Sequence, residues 1–310
     1  MKKFQKVAQI LHGRLLNMRP FGMRLFGAGL LGVAFLGTAQ GDEYASANSS
    51  KFSHSLVKKG MYRSLGFYTG YHHYGEFGRD GSRFMRMDTA TFGLMGQLGL
   101  AATSGLKLEG SARINYALGL YTGSILDTDN ADRNGRKLHS ITGALMGDVE
   151  LKGGYNLLRG GGATSLYLQS GLGYFLNRTE FITMDRIQGY LYVPLELEGE
   201  AQLNARVALN YGAGYRYLVF GNHTSTASKY GFNDDYYVKQ KSGFGANAFI
   251  GATYYNSEGA LRSVRLIYEY WHIGAADPMR TSSSITGNET AIYEPENSTH
   301  RVLLQYSYGF

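Results

Sequence analysis

The chain has 310 residues, of which 43 are Gly, 25 are Tyr, 4 are Pro and none is Cys. This composition argues against two soluble domains with separate cores, and the absence of Cys suits an exported protein without disulfides. Of the formal net charge of +7, six positive charges lie in residues 1–41, which leaves +1 for the remainder and gives no support for nucleic-acid binding.

The first 41 residues have the order of a secretory signal peptide. Residues 25–39 are apolar or small and are followed by a small-residue stretch, so we expect cleavage after Ala39 or Gly41. Six basic residues precede the apolar run: Lys2, Lys3, Lys6, Arg14, Arg19 and Arg24. Because this basic region is long for a signal, translation is expected to start at Met18 or Met23, with an extended signal peptide as the alternative. A permanent amino-terminal anchor is the alternative, although the apolar run is short for a membrane span.

Regular alternation of apolar and polar residues begins near residue 61, after a lead-in over 42–60 that we expect to lie in the periplasm. An apolar residue at every second position predicts a β-strand with one apolar and one polar face. Such runs lie at about 62–73, from the turn at 78–81 to about 100, and at 106–120, 141–151, 166–174, 191–197, 207–217, 244–254, 264–270 and 301–310. Residues 61–310 are therefore predicted to form one β-domain.

The run that begins at Leu106 keeps its alternation for some fourteen residues. Strands of soluble sandwiches usually have five or six residues, whereas a strand tilted across a bilayer needs about nine to eleven. Nowhere after residue 41 does the chain supply the roughly 18 consecutive apolar residues of a spanning helix. The strand length therefore favours a membrane barrel.

The connections alternate in length. Short turns near 104, 160–162, 199–204 and 256–259 alternate with mostly longer polar connections at 78–82, 124–137, 178–188, 222–235 and 275–299. Ten strands, with both ends of the domain on the short-turn side, predict an all-β, antiparallel, up-and-down transmembrane β-barrel with periplasmic turns and extracellular loops. Eight or twelve strands are the alternatives if one hairpin has been wrongly split or merged.

Large apolar residues occupy every second position of the last strand: Val302, Leu304, Tyr306, Tyr308 and Phe310. A final strand that ends in an aromatic residue resembles the terminal strand of bacterial outer-membrane β-barrel proteins. The resemblance implies that these five residues are the signal recognised by the barrel-assembly machinery. Residues 190–197 are similar to a strand of small barrels of the opacity and surface-protein kind. Pro194 predicts a bulge or weakened pairing there, because proline has no donor for a central ladder.

The opposite faces of the strands carry charges of both signs in nearly equal number. The predicted inward-facing cluster contains Lys107, Glu109, Arg113, Asp148, Glu150, Lys152, Glu196, Glu198, Arg206, Arg216, Arg265, Glu269 and Arg301. Charges removed from bulk water need partners, and a narrow barrel is filled by its own side chains. The sequence therefore predicts a salt-bridged interior, either closed or with a narrow path.

Catalytic and metal motifs are weak. An omptin-like protease would have to bring together Asp80, Asp88, Asp234, Asp235, His272 and Asp277. A lipid hydrolase would need a Ser–His constellation on the lipid-facing surface, for which His139 with Ser140 and 223–225 are candidates. The acidic loop 127–132 departs from the calcium-loop pattern at Ala131. We therefore predict no catalytic site, no metal site and no cofactor.

The leading functional hypothesis is an integral barrel of a Gram-negative outer membrane with a structural, surface-recognition or adhesion role. Its extracellular loops, especially 275–299 with Tyr293 and Glu294, would form the recognition surface. A narrow passive channel and a rim-sited hydrolase are the alternatives. Expected partners are outer-membrane lipid and lipopolysaccharide, the barrel-assembly machinery and an extracellular ligand, but no nucleic acid.

Overall fold

The computed structural model describes residues 56–125, 132, 133, 135–158, 162–180 and 185–309. The predicted signal peptide, most of the lead-in, loop residues 127–131 and Phe310 lie outside them. Thirteen strands occur in the described residues: β1 Gly60–Phe77, β2 Arg83–Ala101, β3 Leu106–Ser124, β4 Lys137–Asn156, β5 Thr164–Glu180, β6 Asp185–Gln202, β7 Val207–Ser225, β8 Tyr236–Gln240, β9 Gly243–Tyr255, β10 Leu261–Ile273, β11 Met279–Ser282, β12 Glu289–Ile292 and β13 Glu296–Gly309. No helix among these residues has the length and apolar composition needed to cross a bilayer.

Ten of these strands close into a ring. Each strand from β1 to β7 pairs antiparallel with the next, and β7, β9, β10 and β13 continue the order. The ring closes between β13 and β1, where Leu65 lies opposite Tyr308 and Tyr71 opposite Val302. The predicted ten-stranded antiparallel barrel is therefore confirmed.

The two ends of the barrel differ. The turn end carries the β2–β3, β4–β5, β6–β7 and β9–β10 connections, and two of these turns place Gly105 and Gly259 at positive φ, which glycine adopts without strain. The loop end carries the other connections. There β8 pairs with the end of β7, while β11 and β12 form a small hairpin. A bridge between Phe232 and Ser283 joins these two loop regions.

The ten barrel strands have 13 to 20 residues and extend beyond the predicted boundaries. The prediction of a long loop at 178–188 is wrong. Arg178 pairs with Ile187, β5 continues to Glu180, and β6 already begins at Asp185. At this end the inward side chains are polar, and the Asn177 amide donates a hydrogen bond of 3.1 Å to Gln188. Strand segments of this composition lack the apolar alternation by which strands are recognised.

The outer face is apolar around the whole ring. The most exposed large side chains on the strands include Ile141 at 69%, Leu151 at 68%, Phe92 at 65% and Leu94 at 64%. Soluble proteins rarely expose apolar surface on this scale, whereas a barrel in lipid requires it. Pairing is interrupted opposite Pro194, as predicted, since the β5–β6 register omits it and Ser170 donates a hydrogen bond of 2.7 Å to its carbonyl oxygen instead.

Candidate functional site

Charged side chains fill the half of the interior that is nearer the turn end. We call this set the lumen network. Its seven basic and seven acidic members are Lys58, Lys107, Arg113, Lys152, Arg216, Arg265 and Arg301, and Glu109, Asp148, Glu150, Glu196, Glu198, Glu200 and Glu269. Equal numbers of opposite charges leave the network neutral, as charges withdrawn from water require.

Near the turn end, two lysines hold the carboxylates. Lys107 lies 2.9 Å from Glu109 and forms a salt bridge with Glu198. Lys152 lies 2.7 Å from Glu196 and 3.5 Å from Glu109. All five side chains are at most 8% exposed. Each ammonium group therefore meets at least two carboxylates that come from different strands.

Deeper in the barrel, Glu269 is the common acceptor for three arginines. Arg113, Arg301 and Arg216 lie 2.7, 3.0 and 3.4 Å from its carboxylate. Arg113 also lies 2.7 Å from Asp148, and its Nε donates to the same carboxylate. Because β3, β7, β10 and β13 each contribute one of these side chains, the interaction ties distant parts of the ring together.

Twelve of the thirteen predicted inward charges belong to this network, but Arg206 does not. Arg206 lies exposed in the β6–β7 turn, where its backbone N–H donates to Asn204, because β6 continues to Gln202 and moves the turn. The prediction that Arg206 faces the lumen is therefore wrong. Position in a turn, rather than residue type, decides its direction.

Sequence reasoning missed the segment that precedes β1. Leu56 and Val57 are buried, and the Leu56 N–H donates to Gln202 at 3.2 Å. The Lys58 N–H donates to Glu200 at 2.7 Å, and its ammonium group lies 3.1 Å from Glu198. This segment packs against the turn end of the interior. The segment shows no alternation of apolar and polar residues. The only sequence feature that points to it is the excess of inward carboxylates on β6, which requires a further positive charge.

An apolar layer follows the lumen network along the barrel. Its members are Ala117, Ala144, Met146, Phe175, Tyr190, Tyr192, Leu218, Trp271 and Ile273. The Trp271 ring lies 5.1 Å from that of Tyr192 and 5.8 Å from that of Tyr190, in the range of favourable aromatic contacts. Rings from β5, β6 and β10 thus meet across the interior.

A second polar group, the loop-end cluster, covers this layer and consists of Glu76, Arg186, His223 and Glu294. Arg186 lies 2.6 Å from Glu76 and forms a salt bridge with Glu294, and His223 Nδ1 lies 3.1 Å from Glu294. Glu294 and His223 are fully buried. Burial raises the pKa of the Glu294 carboxyl, but the adjacent Arg186 and His223 outweigh this and lower the pKa to about 2. Glu294 therefore stays ionised and fastens the last loop to the interior.

Two spaces are defined by the described residues, one in the lumen and one at the loop end. A cavity of about 80 Å³ lies beside Glu109, Arg113 and Glu150, which is room for a few water molecules. The larger space is a cleft of about 300 Å³ on the surface of the loop end, lined by Arg79 and Tyr293 among others. The Arg79 guanidinium lies 5.1 Å from the centre of the Tyr293 ring.

The residues proposed for a protease do not assemble into one site. Asp80 accepts a hydrogen bond from Ser82, Asp88 lies against His73, Asp234 accepts from Thr281, Asp235 accepts from Ser228, His272 lies near Glu296, and Asp277 pairs with Lys241. The lipid-hydrolase candidate His223 is buried inside the barrel, whereas His139 is exposed beside Thr122. Glu294, expected on the recognition surface, is an internal anchor instead.

Comparison with known proteins places this fold. No protein-family model and no curated protein matches the chain. Among solved structures, it is similar to the outer membrane protease OmpT from Escherichia coli, at 11% identity over 84% of this chain and 100% of that chain, with a TM-score of 0.55. It is also similar to the translocator domain of the autotransporter NalP from Neisseria meningitidis, at 12% identity over 82% and 90% of the two chains, with a TM-score of 0.42.

The similarity to OmpT concerns the fold alone, since the sequences have little in common. A closed antiparallel barrel of ten strands, apolar outside and charged inside, is the architecture of bacterial outer-membrane β-barrels. The chain therefore has the fold of this class.

Proposed function

We propose that the protein is an integral barrel of a Gram-negative outer membrane that conducts no solute and presents a binding surface outside the cell. The observation that carries the proposal is the filled interior. The lumen network, the apolar layer and the loop-end cluster follow one another along β6, from Glu198 through Tyr192 to Arg186. A cleaved signal peptide and the barrel-assembly machinery, acting on the final strand, would deliver the protein to this membrane.

Closure of the interior also disfavours the channel hypothesis. An ion crossing the apolar layer would lose its hydration between Trp271, Tyr192 and Phe175. The layer is held by packing among side chains that belong to paired strands. Passage therefore requires displacement of these aromatic rings rather than rotation of one flexible side chain.

The loop end offers a rigid support for recognition. Ala227, Phe232, Tyr236, Val238 and Ala276 form a small buried core between the loops. The salt bridge of Glu294 with Arg186 anchors the loop before β13 from inside the barrel. The adjacent Tyr293 is thereby held at the cleft beside Arg79. A guanidinium next to an aromatic ring suits a ligand that carries an acidic group, and we propose an acidic saccharide or peptide as the class.

Binding to an array of sialylated and sulfated glycans, with neutral glycans alongside, tests the recognition surface. Arg79→Ala and Tyr293→Ala should each weaken binding to acidic glycans at least about tenfold, because each removes one wall of the cleft. Arg136→Ala, an exposed arginine beside another loop, is the matched control and should bind as the unmodified protein does. If the unmodified protein bound neutral glycans as tightly as acidic ones, or if only Arg136→Ala lost binding, the assignment would be contradicted.

A further inference from the structure

The outer wall carries a cluster of residues of types common in catalytic sites, none of which belongs to the lumen network or the loop-end cluster. His73, Asp88, His272, Glu296, Ser298 and His300 all lie on outward positions of β1, β2, β10 and β13 near the loop end. Outward positions elsewhere on this wall are mostly apolar. These side chains are concentrated at one end of an otherwise apolar wall, which marks the place as a candidate site.

His73 and Asp88 form the best-defined pair of this cluster. His73 Nδ1 lies 2.7 Å from Asp88 Oδ1, and the Tyr71 hydroxyl donates to the same carboxylate at 2.5 Å. Arg86 Nε lies 3.3 Å from Asp88 Oδ2. A carboxylate on Nδ1 fixes the ring and leaves Nε2 to accept a proton, which is the arrangement of a general base.

Ser298 lies next to this base. It pairs directly with Gly75 on β1, and directly opposed residues have Cβ atoms about 4.5–5.5 Å apart. Nε2 of His73 lies 3.7 Å from the position that a Cβ on Gly75 would occupy, and Arg83 Cδ lies 3.3 Å from it. Gly75 has no side chain to fill the space between Ser298 and Nε2, so the register leaves the serine within reach of the base. Catalytic hydrogen bonds often tighten only when substrate binds.

The other histidines are less suited to act as the base. His272 lies opposite Ser298 on β10, but its Nδ1 is 3.9 Å from Glu296, beyond hydrogen-bond distance. The Nδ1 of His300 lies 2.8 Å from the Tyr268 hydroxyl. A neutral hydroxyl does not stabilise the protonated imidazole as a carboxylate does. His73 is the histidine with a hydrogen-bonded carboxylate.

The height of Ser298 on the wall points to the substrate. Tyr71 and Tyr268 lie opposite Val302, and Tyr270 lies opposite His300, so a belt of aromatic rings crosses the wall at this level. Ser298 is two residues above His300, roughly 7 Å along the strand. Aromatic belts mark the headgroup level of a bilayer, so Ser298 lies on its outer side, and the ester group of a bound lipid has to be drawn outward to reach it. Arg83 lies beside Gly75 and Arg86 beside Asp88, so two positive charges near the site could bind a lipid phosphate.

We infer that Ser298, His73 and Asp88 form an outer-wall site that hydrolyses a carboxylic ester of a phosphate-bearing membrane lipid. The Ser298 oxygen attacks the ester carbonyl carbon while its proton moves to His73 Nε2. The bond between carbonyl carbon and alcohol oxygen then breaks, and His73 returns the proton to the departing alcohol. Water attacks the acyl-serine and gives a proton to His73, which passes it to the Ser298 oxygen as the acyl bond breaks and the fatty acid leaves. Asp88 is a positioning residue that acts through His73.

The test uses the full chain refolded in detergent micelles, with a fluorophosphonate probe and 4-nitrophenyl laurate. The protein should be labelled at the peptide that contains Ser298 and should hydrolyse the ester. Ser298→Ala and His73→Ala should lower the rate on the order of 100-fold or more, and Asp88→Asn likewise, with partial recovery in Asp88→Glu. His139→Ala, an exposed histidine of β4 outside the site, should hydrolyse the ester at the unmodified rate.

Heat-modifiable gel migration shows whether each variant has folded. If Ser298→Ala does not fold, mapping of the label on the unmodified protein by mass spectrometry still decides. Labelling at another residue, labelling retained in folded Ser298→Ala, or neither labelling nor hydrolysis in the unmodified protein would overturn the site. Fatty acid should be released from phospholipid, but not from diacylglycerol, when each is supplied in the same detergent micelles, and equal release from both would contradict a phosphate-bearing substrate.

Discussion

Glu269→Ala should destabilise the barrel by about 3–5 kcal/mol, the cost of removing one partner from a buried ionic interaction. Its carboxylate is the shared acceptor for Arg113, Arg216 and Arg301, which are at most 14% exposed. Without it, three guanidinium groups from three strands repel one another where little water reaches them. Urea titration of folding into lipid vesicles measures the change.

Two controls separate this effect from a general sensitivity to lost carboxylates. Glu258→Ala removes an exposed carboxylate from the β9–β10 turn and should change the stability by less than about 0.5 kcal/mol. Glu269→Gln keeps the shape but not the charge and should lie between the two. A Glu269→Ala variant as stable as Glu258→Ala would show that the lumen network does not hold the barrel together.

Leu94→Arg should cost about 2–4 kcal/mol when the barrel is folded in a bilayer. Leu94 is 64% exposed and lies near the middle of β2, opposite Phe67 and Ile114 on the neighbouring strands. An exposed leucine on a soluble protein could be replaced by arginine with little effect. In a membrane barrel, the guanidinium would face hydrocarbon at this depth.

Leu100→Arg provides the matched control for depth. Leu100 is on the same face of the same strand but is one residue from its end at the turns. Arginine there should cost about 0–1 kcal/mol, since it reaches the interface. Equal effects of the two substitutions in vesicles would contradict a transmembrane position for β2.

How far the sequence predicts this molecule depends on where each strand meets lipid. The alternation in β3 reflects an outer face in hydrocarbon and an inner face of charges, and both were recognised from Leu106, Lys107 and Glu109 onward. The same strands continue past the apolar zone, as at Arg178 and Ile187, where neither face has to be apolar. Local composition carries no strand signal there, and only pairing with the neighbour defines the structure.

The candidate sites show the same division. The alternation along each strand predicts which charges point inward. It does not predict all of their partners, because Lys58 precedes the first strand and Glu294 belongs to a loop. The apolar layer was missed because Trp271 and Tyr192 occupy inward positions that the pattern assigns to polar residues. Ser298, His73 and Asp88 come together only through the β13–β1–β2 register, which no spacing in the sequence reveals.

Single-channel recording in planar lipid bilayers tests the central claim, that the interior is closed. The refolded protein should insert, as judged by protease protection of its strands, and should show no conductance steps, because the lumen network, the apolar layer and the loop-end cluster together occupy the interior. A porin recorded under the same conditions serves as the positive control. Stable ohmic steps from the unmodified protein would contradict the closed barrel.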